Sequence, residues 1–390
     1  MNDNIFYWIW LQQVIGYGSC KIKRILSEYN DAKSFYELGY AGWKSSHCLT
    51  IKGLERAKKY SYNAAKKIIE ECVKLNQSII TFNDVRYPER LKNIDNPPCV
   101  LYIRGDLPDI DNNIAVSIVG TRAADESSMM ISYNFATELT KSGALIVSGG
   151  ALGIDEAAHK GAIDSGGKTV CVLGSGLDVN YPKENSSLRY DISKNGALIS
   201  EYPPGVAPMP QNFPVRNRII SGLSLGTLIV QAGKRSGALI TANLALNQNR
   251  DVFAIPGDIR NELSEGTNDL IKNGAKPVTC SLDIIEEYIK VYADKFNIKD
   301  VKYEDDKKYE SNNYNSNLVC NTDNTIDTSF INKLSNNAKK VYNALGTDKK
   351  HIDDISVQTK LPANMVLQAI TELEIFGVIN SYSGKRYSKN

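Results

Sequence analysis

The chain reads as an α/β protein: a doubly wound, mainly parallel sheet, preceded by an all-helical segment and followed by a small helical module ending in a hairpin. Three observations predict this. From residue 114 onward, short apolar runs alternate with helix-forming stretches, the pattern of a parallel sheet crossed by helices. The runs are continuously apolar, as in strands buried on both faces. The chain also begins with apolar residues at helical spacing, and its final sixty residues hold three more helical stretches.

In the first segment the helical spacing runs through Tyr7, Trp8, Leu11, Val14 and Ile15. A break follows at Gly16-Tyr17-Gly18, then a second helix over 21–29, and a further break at Lys52-Gly53-Leu54. Two short helices joined by Gly-x-Gly match a helix-hairpin-helix pattern, whose loop N–H groups can meet a phosphate. A plain capping turn reads the same residues equally well.

The predicted strands are 115–119 (AVSIV), 144–148 (ALIVS), 169–173 (TVCVL), 197–200 (ALIS), 227–230 (TLIV) and 252–255 (VFAI). Helices are expected over about 125–142, 154–165, 184–194 and 236–248. Residues 291–330 are rich in Asn, Asp, Lys and Tyr, with too little apolar surface to offset ordering, and read as a linker. Residues 331–390 give helices near 335–345, 351–358 and 363–376, then turns at Phe376-Gly377 and Ser383-Gly384. Three helices plus a hairpin make the winged-helix pattern, which serves either DNA binding or protein docking. The expected domains are therefore 1–75, 76–290 and 331–390, with 291–330 between the last two.

Forty-six Lys and Arg against 44 Asp and Glu leave a net charge of +2, which argues against a nucleic-acid coat protein. Resolved along the chain, the balance is uneven. Residues 202–250 hold Arg216, Arg218, Lys234, Arg235 and Arg250 and no carboxylate. That stretch is either a buried apolar segment or an anion-binding surface that carboxylates would spoil. Seven scattered cysteines without a C-x-x-C pair, and three histidines, give no metal-ligand spacing. No apolar run approaches the ~20 residues of a membrane span. The first residues lack signal-peptide features, so a cytoplasmic location is expected.

In doubly wound sheets, ligands bind beyond the carboxyl ends of the strands. Those ends carry Gly120-Thr121-Arg122; Ser148-Gly149-Gly150-Ala151-Leu152-Gly153; and Gly174-Ser175-Gly176, followed by Tyr181-Pro182-Lys183. Phe213-Pro214-Val215-Arg216-Asn217-Arg218 and Gly233-Lys234-Arg235-Ser236-Gly237 follow. Glycine lets backbone approach a ligand, arginine offers a planar donor fork, and an exposed tyrosine can stack a base. Surface ion pairing of Arg122, a core role for Tyr181 and a solvated Lys183 are the competing readings. The glycine loop at 149–153 is neither G-x-G-x-x-G nor a Walker A. Asp155 and His159, four residues apart on one helix, read as a hydrogen-bonded structural pair, because no nucleophile completes a triad. The rim fits holding phosphate, with no catalytic residue, metal or cofactor expected.

The sequence closely resembles the DNA-processing protein A family (DprA, also called Smf). The resemblance rests on Tyr87-Pro88-Glu89-Arg90-Leu91, Leu101-Tyr102-Ile103-Arg104-Gly105, Val119-Gly120-Thr121-Arg122, the 148–155 loop, Leu173-Gly174-Ser175-Gly176-Leu177-Asp178, Phe213 to Arg218, Ser236-Gly237-Ala238-Leu239-Ile240-Thr241-Ala242, Ile255-Pro256-Gly257 and Gly266-Thr267-Asn268. These motifs follow in order across about 85–280. Where relatives often carry Gly-Ser-Arg, this chain has Gly120-Thr121-Arg122, which keeps the hydroxyl. The resemblance implies an extended Rossmann-like domain between a SAM-like or helix-hairpin-helix start and a winged-helix end. It implies a homodimer that binds single-stranded DNA, protects it during natural transformation and loads RecA recombinase onto it, without being an enzyme. The family's basic residues map onto Arg122, Lys183 and the Arg216/Arg218 motif. The expected contacts with single-stranded DNA are then Gly120, Thr121, Arg122, Ser148, Gly149, Gly150, Gly153, Gly174, Gly176, Lys183, Arg216, Asn217 and Arg218. Two other readings are an enzyme on nucleoside monophosphates, with Asp155 or Glu156 as its carboxylate, and a protein-interaction scaffold.

Overall fold

The structure is a computed structural model and describes residues 4–289, 291–292, 334–346, 350–375, 378–382 and 386–389. The linker expected over 291–330, apart from its first two residues, and the two glycine turns of the C-terminal module lie outside the described residues. The described residues up to 292 form one compact unit and those from 334 onward a second.

The first unit opens with six helices: α1 (Asn4–Ile15), α2 (Lys21–Tyr29), α3 (Ala32–Glu37), α4 (Gly39–Ser45), α5 (Ile51–Lys59) and α6 (Tyr62–Lys74). The sheet and its helices follow as β1 (Ser78–Thr81), α7 (Glu89–Lys92), β2 (Val100–Gly105), β3 (Ala115–Val119), α8 (Glu126–Lys141), β4 (Leu145–Ser148), α9 (Ile154–Asp164), β5 (Thr169–Leu173), α10 (Ser186–Lys194), β6 (Gly196–Ser200), α11 (Asn212–Leu223), β7 (Gly226–Ile229), α12 (Gly237–Asn247), β8 (Asp251–Ala254), α13 (Glu265–Lys272), β9 (Lys276–Pro277) and α14 (Leu282–Ile289). The strands lie in the order β1-β2-β6-β5-β4-β3-β7-β8-β9. From β6 to β9 all pairs are parallel, while β2 runs antiparallel to both β1 and β6. The six predicted strands and four predicted helices are present within one or two residues, because β3 to β7 are buried along their whole length. The antiparallel extension of β1 and β2 was not predicted.

The helical start is not an independent domain. α1 is apolar all round, and Phe6, Trp8, Ile9, Trp10, Leu11 and Val14 are buried. Such a helix needs partners on every side. It shares one core with Cys99, Val100 and Tyr102 around β2, and with Leu173 and Leu198 of the sheet. The buried Gln12 fastens the joint: its Oε1 accepts from the Cys99 N–H at 2.8 Å, and its Nε2 donates to the Gly16 carbonyl at 3.2 Å.

Two sequence expectations change here. Gly53 is no break; it lies inside α5, where its N–H donates to the N-cap hydroxyl of Thr50 at 3.2 Å. The Gly16-Tyr17-Gly18 hairpin is turned inward. The Gly18 carbonyl accepts from Asn96 Nδ2 at 3.2 Å, the Gly18 N–H faces Glu201 Oε1 at 3.4 Å, and Tyr17 packs on Tyr202. A loop whose N–H points at a buried carboxylate is no phosphate cradle.

In the second unit, α15 (Asn336–Ala344), α16 (Ile352–Thr359) and α17 (Ala363–Ile375) pack around Val341, Ile355, Val366, Ile370 and Leu373. A three-stranded sheet in the order β10 (Lys350–His351), β12 (Arg386–Lys389), β11 (Ile379–Tyr382) completes a winged helix. Among the described residues no helix is long and apolar enough to cross a membrane.

Candidate nucleic-acid interface

β3 sits where the chain changes direction in the sheet: the connection through α8 leads to β4 on one side, while β7 lies on the other. The loops leaving β3 and β7 therefore diverge and leave a crevice, the usual ligand site of an open α/β sheet. A groove of about 760 Å³ occupies it. Its walls are Gly120-Thr121-Arg122 after β3, Gly233-Lys234-Arg235 after β7, and the first turns of α11 and α12. Ser236 caps α12, its hydroxyl accepting from the Ala238 N–H at 3.3 Å. The N-terminus of α12 thus faces the groove with its positive dipole end.

A smaller cavity of about 120 Å³ adjoins the groove and shares Arg122, Ala151, Phe213 and Arg216 with it. Gly149, Gly150, Gly174, Tyr181 and Pro182 are among its other lining residues. At the shared edge the Arg122 guanidinium lies 5.0 Å from the Phe213 ring centroid, and Tyr181, 38% exposed, lies 5.7 Å from it. Arg122 is exposed. A cation stacked on one aromatic ring beside a second is a surface suited to phosphate and base together.

The three arginines of the predicted site separate by role. Arg216 is buried beneath the strand ends; it donates to the Gly149 carbonyl at 2.7 Å, to the Val172 carbonyl, and through Nε to Asn217 Oδ1 at 3.1 Å. Burial pushes its guanidinium below the ordinary value, against the pull of the nearby Asp155 charge. Arg216 shapes the floor of the groove more than it reaches into it. Arg218 leaves the site altogether. It is 1% exposed and donates to Glu201 Oε1 at 2.7 Å, to the Asn96 carbonyl at 2.9 Å and to the Val215 carbonyl at 3.2 Å. Two residues along a helix is roughly 200° of rotation, which turns Arg218 toward the helical start. Only Arg122 is presented outward.

The remaining predicted residues divide in the same way. Gly120, Thr121 and Asn217 line the groove. Ser148 is fully buried and donates to the Ile118 carbonyl at 2.6 Å, so its hydroxyl braces two strands. Gly149 is required by packing, since a Cβ there would sit 2.7 Å from the Arg216 guanidinium. Gly153 has φ +79 and a Cβ there would lie 2.7 Å from the Thr121 carbonyl, so it fits the N-terminus of α9 against the Arg122 loop. Gly176 is buried outside both cavities, and Lys183 is exposed just beyond the smaller one.

Asp155 and His159 do not form the expected pair. Thr169 Oγ1 donates its proton to the Ile146 carbonyl at 2.9 Å, so the 2.7 Å contact makes His159 Nδ1 a donor to Thr169. Burial holds His159 down at about 3, neutral at ordinary pH. Asp155, also buried, is pushed above the usual carboxylate range by desolvation, which Arg216 and Arg122 oppose. Among the described residues no group of three or more His, Cys, Asp or Glu is placed to hold a metal ion.

Comparison with known proteins decides the family. The family model described as DNA recombination-mediator protein A matches residues 78–289, the whole sheet included. The chain belongs to this family. The DprA winged helix domain model matches residues 331–385 of this family member. The chain is 31% identical over its full length to protein Smf of Synechocystis sp., covering 99% of that protein. Over 52% of its length it is 44% identical to DNA processing protein DprA of Streptococcus pneumoniae, covering 71% of that relative. The crystal structure of that Streptococcus pneumoniae protein matches with a TM-score of 0.64 at 34% identity, covering 72% of this chain and 97% of the other. DNA processing protein A from Helicobacter pylori, described for its single-stranded DNA binding mode, matches with a TM-score of 0.51 at 34% identity, covering 55% of this chain and 97% of the other.

Sequence reasoning singled out the acid-free stretch 202–250 but not what faces it. Glu262 and Glu265 line the same groove from beyond that stretch, and Glu265 lies 3.7 Å from Lys234. In the sequence Phe213 stands out only as part of a motif; its signal is an aromatic residue three positions before Arg216 at a helix start. Lys234 and Arg235 stand at a loop-to-helix junction after a strand, and the fold places both on the groove.

Proposed function

We propose that this family member is a recombination mediator that holds single-stranded DNA across the strand-end groove, protects it, and passes it to RecA recombinase, acting as a homodimer in the cytoplasm. The observation that carries this reading is the exposed Arg122 guanidinium stacked on Phe213 beside Tyr181, at the junction of groove and smaller cavity. Arg122 and the helix N-terminus of α12 meet backbone phosphate, while the aromatic edges meet bases without regard to sequence. The single-stranded DNA binding mode described for the Helicobacter pylori relative supports the substrate class. The site only holds its ligand, in this reading. Of the two carboxylates the enzyme reading needs, Glu156 is paired with Lys160 at 2.6 Å and does not line the groove, while Asp155 lines it but is buried and accepts from the Ala151 N–H at 3.4 Å, which favours a holding role over nucleotide chemistry there.

The test is a titration of labelled oligo-dT over a salt series. Each phosphate neutralised on a single strand contributes a slope of about −0.7. Arg122→Ala is expected to weaken binding and to reduce the slope by about that amount. Unchanged affinity and slope would remove Arg122 from the interface and this reading with it.

A further inference from the structure

The smaller cavity does not end blindly. Its Tyr181-Pro182 wall runs directly into the short turn Lys183–Asn185 and then into α10. α10 descends the outside of the sheet, packed against α9, from the strand-end rim to the start of β6. Its outer surface carries an aromatic residue with no place in the core. Tyr190 is 63% exposed, and Lys194 Nζ lies 5.4 Å from its ring centroid. Residues 187, 190 and 194 of α10 recur at spacings of three and four, which places them on one helical stripe, and residue 183 stands in the turn that leads into the helix. All four are exposed. At the foot of the stripe Thr169 is registered against Gly196, which brings the exposed Lys168 beside Asn195 and next to Lys194. A cation at the rim, an aromatic ring below it and two cations at the foot thus follow one line. The carboxylates of Glu184 and Asp191 are exposed on the adjoining stripe, so the line is narrow.

We propose that this stripe of α10 is a second contact for the same single strand, with a base stacked on Tyr190 and backbone phosphates on Lys183, Lys194 and Lys168. The proposal rests on the groove reading and extends it. Three features select a single strand as the occupant: continuity with the cavity that holds Tyr181, complementary charge, and one aromatic face between cations. Stacking needs a base with a free face, which duplex DNA does not present along its side. The eleven steps from Lys183 to Lys194, at about 1.5 Å each, give the line a length of about 16 Å, enough for roughly four stacked nucleotides at ~3.4 Å.

The test compares oligo-dT of about six nucleotides, long enough for the groove, with one of about twenty. Anisotropy titrations use the full chain, Tyr190→Ala, and the pair Tyr190→Ala with Lys194→Glu. The expected result is a fall of about fivefold or more for the long oligonucleotide in the single variant, a larger fall in the double variant, and unchanged affinity for the short one. Unchanged affinity of the double variant for the long oligonucleotide overturns the second contact and leaves the groove reading standing on the short one. Equal losses at both lengths also overturn it, since Tyr190 would then act on the groove itself. If the wild type binds neither oligonucleotide, the groove reading falls and the stripe falls with it. Both side chains are solvent-facing, so an unchanged thermal melt is expected and checks that the variants fold.

Discussion

Arg218 and Glu201 form an ion pair at 2.7 Å with side chains only 2% and 1% exposed. Removing the arginine leaves the Glu201 carboxylate in the core, facing the Gly18 N–H at 3.4 Å, and strips the donors from the Asn96 and Val215 carbonyls. At an effective dielectric of 20, two charges 2.7 Å apart attract by about 6 kcal/mol, of which desolvation cancels part. Breaking a pair of this kind costs about 3–5 kcal/mol. Arg218→Met, which keeps volume and removes charge, is therefore expected to destabilise by about 4 kcal/mol. Arg218→Met with Glu201→Leu removes the stranded charge and is expected to recover about half of that loss. The remainder reflects the Asn96 carbonyl and the Gly18 N–H left without partners. Urea unfolding read by the fluorescence of Trp8, Trp10 and Trp43 measures this where Glu201 touches the helical start. With a slope of about 3 kcal/mol/M, the midpoint should fall by more than 1 M in the single variant. Affinity for oligo-dT should stay at the wild-type value wherever the variant is folded. A single-variant loss below about 1 kcal/mol, or a double variant no more stable than the single, would refute the buried-pair argument. Lost DNA binding in a folded variant would return Arg218 to the interface.

Three further outcomes are expected. Arg216→Lys removes the planar fork that serves the Gly149 and Val172 carbonyls; it should cost about 1–3 kcal/mol in chemical denaturation and weaken oligo-dT binding, and equal stability with weakened binding would make Arg216 a direct contact. Gly153→Ala forces a Cβ onto φ +79 and within 2.7 Å of the Thr121 carbonyl; a loss of about 2 kcal/mol or more is expected, with displaced Arg122 seen as weaker DNA binding, and a neutral effect on both would show that the loop relaxes freely. His159 is held neutral, down at about 3, chiefly by burial and secondarily by Arg216. The unfolded chain takes a proton near 6.5; the stability from the neutral ring is present above that pH and drains away as pH falls from 6.5 toward 3. Between pH 6.5 and 5 this amounts to about 2 kcal/mol, which His159→Asn should abolish; an identical pH slope in the variant would show that His159 titrates freely in the fold.

The parallel sheet was legible because its strands are buried on both faces, so apolar runs such as AVSIV and TVCVL announce themselves without tertiary information. β1 and β2 were not, since SIIT is short and VLYIRG lies among loop residues, and their pairing depends on an antiparallel neighbour far along the chain. The separate helical domain expected at the start shares its core with the sheet for a related reason: a mostly apolar helix such as α1 shows that it needs partners but not which ones, and some of them, such as Val100, Tyr102, Leu173 and Leu198, belong to the sheet.

At the site, sequence alone determined which loops meet. Gly120-Thr121-Arg122, the 149–153 loop, Tyr181-Pro182 and Phe213 to Asn217 all follow strands, and parallel strands deliver their ends to one rim. The residue types at that rim also carried the family resemblance. Only the tertiary structure decided which side chains remain available to a ligand. Arg216 and Arg218, one residue apart on either side of Asn217, are both consumed inside the fold, one by carbonyls and the other by Glu201, whereas Arg122 stays outward on Phe213. The carboxylates that line the groove, Asp155, Glu262 and Glu265, come from outside the acid-free stretch. The physical reason is common to both: a charge's role depends on its nearest partners and its exposure, and those partners lie tens of residues away in sequence.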